Sequence, residues 1–296
     1  MINELLPTLR VLAIPLRTQF RGITVREIAI LESPHGPVEF SPFVEYDDRE
    51  AARWLQCTLE AATHTSWKKY RTEIPMNGTI PESNDKNLIT SLVQSFGSVE
   101  TFKIKVGDNL PLDIARIAKV KSLRPQAKVR IDVNGTWSAE KAITSLRAIY
   151  ENVGDIEYVE QPCATIDEMR QIKTALRVPI KIAADEVVRK AKDPFAIDLS
   201  EAADVLVLKV QPMGGIARSI AIAEHHQLPV VVSSALESDI GLKYGVELAQ
   251  ALPELHFDCG LATSHLFDGP GVDVAPERFE WWKNRIMRCA TLVESL

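Results

Sequence analysis

The spacing of apolar positions changes character twice along this chain of 296 residues. "ITVREIAILES" (23–33) alternates apolar and polar residues, and "GPVEFSPFVEY" (36–46) reads as a second strand and turn. "DDREAARWLQCTLEAATH" (47–64) then moves to the spacing of an amphipathic helix. From residue 73 another rhythm begins, with strand-like runs returning at intervals of roughly 23 to 28 residues. They are "EIPMNGTIP" (73–81), "TFKIKV" (101–106), "KVRIDVNG" (128–135), "IEYVEQP" (156–162), "PIKIAADE" (179–186), "VLVLKVQP" (205–212), "PVVVSSALES" (229–238) and "HFDCGLATS" (256–264). Between most of them lie segments of helical spacing, such as "LPLDIARIAKVKSLRP" and "SAEKAITSLRAIYEN". Ser138 is the expected N-cap of the second, without a capping box because Lys141 stands where the acid or amide would be.

Strand, helix, strand at this period predicts parallel βα units. Eight strand candidates favour a closed ring, and the glycine-rich phosphate loops of open nucleotide-binding sheets are missing. The expected fold is α/β: a modified (β/α)8-type, TIM-like barrel over 72–264 behind an N-terminal α+β capping domain over 1–71. The segment 265–296, which holds a helix with Trp281 and Trp282, is expected to join the cap.

Composition adds exclusions. Hydrophobic residues make up 46% and charged residues 25%, as in an ordinary soluble enzyme. A net charge of −6 with no dense Lys/Arg run argues against a nucleic-acid partner. The apolar start "LLPTLRVLAIPLRT" is broken by Pro7, Arg10 and Pro15, so no membrane span or leader is expected, and the default location is cytoplasmic. Four widely spaced cysteines read as free thiols. The oligomeric state is open, and a monomer is compatible with the chain.

The candidate chemistry begins with "TFKIKVG" (101–107). A period of two sends Lys103 and Lys105 to the same face of a strand that otherwise reads as buried, so they need partners. Asp132, Glu160 and Asp185 come late in the next three strands, and Lys209 lies inside the apolar "VLVLKVQP". In a βα barrel the C-terminal strand ends build the active site. Three carboxylates converging there would repel one another unless a hard divalent cation bound them, and oxygen ligation suits Mg²⁺. The histidines lack ligand spacing, which counts against zinc. One such charge alone would be an ordinary turn or edge residue; the joint placement argues for a site. Asp155, Glu157, Glu186 and Asp204 are read as turn or surface charges.

These motifs carry a resemblance. "KIK", "DVNG", "EQP", "ADE" and a lysine on the sixth strand look like the enolase superfamily, in its muconate-lactonizing subgroup. "FRGITVREIAIL" and "FSPFVEYDDREAARWLQCTLEAA" resemble the o-succinylbenzoate synthase branch of the actinobacterial type, although Val38 stands where that pattern often has a small residue. The resemblance implies removal of the proton α to a carboxylate of a small-molecule substrate. It implies Asp132, Glu160 and Asp185 as ligands of Mg²⁺, Lys105 as base, and Lys209 as a cation on the opposite face. Lys103 would tune Lys105 and touch the substrate carboxylate, and Asn134 would orient the metal site. Arg21, Ser233 and Ser234, with Glu237 nearby, are candidate substrate contacts. N-acylamino acid racemases, dipeptide epimerases and muconate-type cycloisomerases share the scaffold and are the neighbouring readings. A non-catalytic, carboxylate-binding barrel is the reading from another class.

Overall fold

The structure is a computed structural model that describes residues 1–63 and 66–294. After a short helix α1 (Ile2–Leu5), the chain forms an antiparallel hairpin of β1 (Arg10–Phe20) and β2 (Ile23–Ser33), then β3 (Gly36–Phe40). The β1–β2 connection is Arg21–Gly22, both at positive φ, as a two-residue type I′ turn requires. Helix α2 (Asp48–Thr63) lays Ala51, Trp54, Leu55 and Thr58 against this sheet. The expected helix over 47–64 is therefore present, with His64 outside the described residues, as are 65, 295 and 296 of the segments expected to form the cap.

A seven-stranded parallel sheet follows, in the order of the chain from β4 (Gly78–Ile80) through β5 (Thr101–Lys105), β6 (Lys128–Asp132), β7 (Tyr158–Glu160), β8 (Lys181–Ala184), β9 (Val205–Lys209) and β10 (Val230–Ser233). The eighth expected strand is not a ladder but a short stave. Cys259 N–H donates to Pro75 O at 2.7 Å, Asn77 N–H donates to Cys259 O at 2.8 Å, and Gly260 N–H donates to Val232 O at 2.8 Å. Residues 259 and 260 thus bridge β10 and the start of β4 and close the ring. Gly260 is needed for this approach, since a Cβ there would meet Ser233 Oγ at 2.6 Å.

Between the strands lie α3 (Lys86–Ser95), α4 (Leu110–Leu123), α5 (Ala139–Val153) and α6 (Ile166–Ala175), then the single turns α7 (Glu186–Arg189) and α8 (Val210–Met213), and finally α9 (Ile216–His226) and α10 (Asp239–Ala251). Ser138 accepts the Lys141 N–H and caps α5 as expected, while α6 carries a full capping box between Thr165 and Glu168. All four cysteines are free and buried.

After the barrel, β11 (Val272–Asp273) returns to pair with β1, and α11 (Pro276–Val293) packs on α2. Trp282 is fully buried; its indole N–H donates to Glu27 at 2.6 Å and its ring meets Phe40 edge-on. The terminal helix therefore packs within the chain. Two cap carboxylates fasten the cap to the barrel by helix N-termini, where unpaired N–H groups favour negative charge. Glu60 accepts from Ile216 and Ala217 of α9, and Glu39 accepts from Ser238 and Gly241 at α10.

Candidate active site

The barrel interior is layered by the period of two. Its lower layer is a small apolar cluster of Tyr158, Ala183, Val205, Val207, Val231 and Phe257. Arg130 is buried among them, 4.9 Å above the Tyr158 ring and paired with Glu157 at 2.5 Å. Glu157 is thus not a surface charge, as the sequence suggested; Arg130, two residues before Asp132, points down the barrel and needs it.

The next inward positions upward are Lys103 and Lys105, Asp132, Glu160, Lys209 and Ser233. Asp132 and Glu160 are direct register partners, and Asp185 caps the end of β8. All three carboxylates are almost wholly buried. Lys103 Nζ lies 2.9 Å from Glu160 and 3.4 Å from Asp132; Lys209 Nζ lies 3.5 Å from Glu160 and pairs more closely with Asp185. Lys105 Nζ lies 2.6 Å from Asp132 and 2.5 Å from Asn134 Oδ1. With β5 and β9 four staves apart in an eight-stave ring, Lys105 and Lys209 stand on opposite walls.

The electrostatics follow from this packing. Burial opposes the charged form of Lys103, but Glu160 and Asp132 outweigh it and raise the pKa. Burial likewise opposes Lys209, and Asp185 and Glu160 raise it. Lys105 goes the other way: burial lowers its pKa, with Lys103 adding repulsion and Asp132 only partly opposing. Burial is the larger cause, ahead of the neighbouring lysine emphasised by the sequence reading. Burial and Asp132 raise Glu160, whereas the lysines overcome burial at Asp132 and hold it low; Lys209 and Arg189 do the same at Asp185.

Among the described residues, no three His, Cys, Asp or Glu side chains form a ready metal cluster. The carboxylates are instead held in pairs by ammonium groups, Lys103 joining Asp132 to Glu160 and Lys209 joining Glu160 to Asp185. That arrangement tests the fit of a metal. Three buried, adjacent carboxylates already share cations, and their hard oxygen donors are those a Mg²⁺-sized ion prefers. The donor chemistry fits.

The β1–β2 turn of the cap covers this layer. Phe20 and Arg21 line a cavity of about 20 Å³ together with Lys105, Lys209, Ser233 and Ser234. Outside it, a wider space of about 650 Å³ runs along Gln19, Gly22, Glu82, Asn84 and Thr136. Arg21 stacks over the Phe43 ring at 4.4 Å and donates to Tyr46 Oη at 3.3 Å, so its guanidinium is partly engaged within the cap. Ser233 Oγ stands 3.5 Å from Lys103 Nζ, while Ser234 donates to Gly260 O at 2.7 Å. Glu237 is buried at the cap junction, not in the cavity lining.

Sequence reasoning missed Glu186, Arg189 and Tyr46. Glu186 accepts from Asn134 and Arg189, so its reading as a surface charge is corrected. Arg189 also donates to Asp185 at 2.9 Å, an i, i+4 pair that the spacing of "DEVVR" could have suggested. Tyr46 reaches Arg189 from the cap, and no sequence pattern signals that contact.

Residues 88–286 match the enolase C-terminal domain-like family and residues 11–62 the enolase N-terminal domain-like family. The chain belongs to the enolase superfamily. Within the superfamily it is 40% identical to an o-succinylbenzoate synthase of Mycolicibacterium smegmatis, over 99% of this chain and 98% of that one. It is 47% identical to the o-succinylbenzoate synthase of Thermobifida fusca, over 87% of this chain and 80% of that one. Among solved superfamily structures, the L-Ala-D/L-Glu epimerase of Bacillus subtilis superposes with a TM-score of 0.75 at 20% identity, covering 88% of this chain and 90% of the other. The muconate lactonizing enzyme of Pseudomonas putida gives 0.71 at 18% identity, covering 88% of each. These two establish the shared fold: a cap over a parallel barrel.

Proposed function

We propose that this chain is an o-succinylbenzoate synthase, removing water from 2-succinyl-6-hydroxy-2,4-cyclohexadiene-1-carboxylate on the route to menaquinone. What carries the reading is identity of about two residues in five to relatives of that name across nearly the whole chain. The site supports it. Asp132, Glu160 and Asp185 would hold a divalent cation, Mg²⁺ by their chemistry, which when bound supplies concentrated positive charge beside the substrate carboxylate.

Lys105 is the base. Its lowered pKa favours the neutral amine, and two of its Nζ positions are tied to Asp132 and Asn134, leaving the third for the proton α to the carboxylate. Lys209, held charged by Asp185 and Glu160, steadies negative charge from the opposite wall. Lys105 then returns the proton to the departing hydroxyl. One C–H and one C–O bond break, a ring double bond forms, and water leaves with aromatisation. Lys103 and Ser233 line the carboxylate side with Ser234 beside them, while Arg21 also faces the wider space of about 650 Å³ that has room for the ring and succinyl chain.

Lysines on opposite walls also suit racemisation of an N-acylamino acid, a second reading favoured by that geometry. The test is incubation of the purified protein and Mg²⁺ with each substrate in deuterated water. Rapid formation of o-succinylbenzoate, with at most slow exchange into N-succinylamino acid, is expected. Fast exchange from both faces without o-succinylbenzoate would make the protein a racemase.

A further inference from the structure

The one-turn helix α7 places an acid where neither the metal nor the substrate needs one. Glu186 Oε1 accepts from Asn134 Nδ2 at 3.1 Å and from Arg189 Nη2 at 2.7 Å. Its other oxygen, Oε2, is buried with no hydrogen-bond partner among the described residues. Leaving a carboxylate oxygen unpaired in the interior is costly, and an ordinary turn residue would point it to solvent.

We propose that Glu186 is a positioning residue for Lys105, acting through the Asn134 amide. A carboxylate only accepts hydrogen bonds, so it can engage only the NH₂ end of Asn134. That turns Asn134 Oδ1 toward Lys105, where it accepts from Nζ at 2.5 Å. Asn134 is held independently by its own backbone, at φ 53°, with its N–H donated to Asp132 Oδ1 at 3.1 Å. Lys105 Nζ is thereby fixed at two points, Asp132 and Asn134, and its remaining direction opens on the cavity beneath Phe20. Arg189 steadies Glu186 from below while gripping Asp185, and Tyr46 of the cap accepts from Arg189 at 3.2 Å. Without Glu186 the amide can rotate and present its NH₂ to an amine, which repels a donor and frees the base. The inference rests on the reading of Lys105 as the base.

Glu186→Ala should lower kcat by about 10²-fold, the scale of a misplaced catalytic group, with KM and the Mg²⁺ dissociation constant within about 3-fold. Glu186→Gln keeps an acceptor oxygen and should recover to within about 10-fold of wild type. On an Asn134→Ala background, Glu186→Ala should cost no more than about 2-fold, because two members of one chain of contacts are not additive. A readout without turnover is the rate at which a limiting acylating reagent labels each lysine, followed by mass spectrometry. Lys105 labelling should change at least about 3-fold in Glu186→Ala, while Lys209 stays within about 2-fold. Unchanged kcat and Lys105 labelling would overturn the proposal, as would full additivity with Asn134→Ala or equal changes at both lysines. If wild type forms no o-succinylbenzoate, the functional reading falls, yet the labelling still decides the role of Glu186.

Discussion

Replacing Glu237 with glutamine keeps its shape and removes one buried titration. Glu237 accepts the Ala235 N–H at 2.6 Å and faces Glu39 and Arg26 of the cap. Burial, then the Glu39 charge, raises its carboxyl from the ordinary 4.5 to about 7. The unfolded chain releases this proton near pH 4.5, whereas the folded protein keeps it until about pH 7. Between those values the folded state binds more protons, so stability present below pH 4.5 is lost as pH rises and the loss is complete above pH 7. A gap of roughly 2.5 pH units at about 1.36 kcal/mol each gives about 3 kcal/mol. Glutamine can still accept from Ala235 and carries no titration. Urea unfolding of both proteins at pH 5, 6, 7 and 8, on the order of these values, would read the difference. The variant should gain about 2–3 kcal/mol relative to wild type from the acid to the alkaline end. Parallel profiles would mean that Glu237 ionises normally in the folded protein, and the burial argument would be refuted.

Two further outcomes test the catalytic layer. Lys105→Arg keeps a cation but cannot serve as a base near neutral pH, so kcat should drop by roughly 10² or more; near-normal turnover in a steady-state assay would remove Lys105 from that role. Asp185→Asn should abolish Mg²⁺-dependent turnover, as exhaustive chelation should in wild type until Mg²⁺ is returned. Because Lys209 and Arg189 both lean on Asp185, the variant should also lose about 3–5 kcal/mol in a denaturant melt. A sequence reading that counts only repulsion among the carboxylates expects an intact fold, and that melt tells the two apart.

The parallel barrel was legible because its strands are buried and bounded, and because a period of two puts the charges of "KIK", Asp132, Glu160 and Lys209 on the inner wall. The eighth stave was harder to read. "HFDCGLATS" makes single bridges on each side instead of a ladder, and its close approach depends on Gly260 lacking a Cβ. Glu186 and Tyr46 escaped for a tertiary reason. Asn134 lies 52 positions from Glu186, and Tyr46 lies 143 from Arg189. The first exists only once the barrel brings the end of β6 beside α7, the second only once the cap is seated, and that seating depends on where Glu39 and Glu60 find helix N-termini. Local spacing carries no trace of it.

The same layer explains why cap and barrel have to act together. Asp132, Glu160, Asp185 and Glu186 face Lys103, Lys209 and Arg189, while burial favours the neutral amine at Lys105, so the carboxylates outnumber the cations before anything binds. A substrate dianion alone would add to that excess in a medium where unpaired charge is costly, and a divalent cation offsets it. Bound together the two cancel. The proposed substrate carries two carboxylates, one beside the reacting carbon and one on the succinyl chain, and matches a divalent cation in charge. Binding of the dianion is then coupled to the cation beneath the cap turn at Phe20 and Arg21.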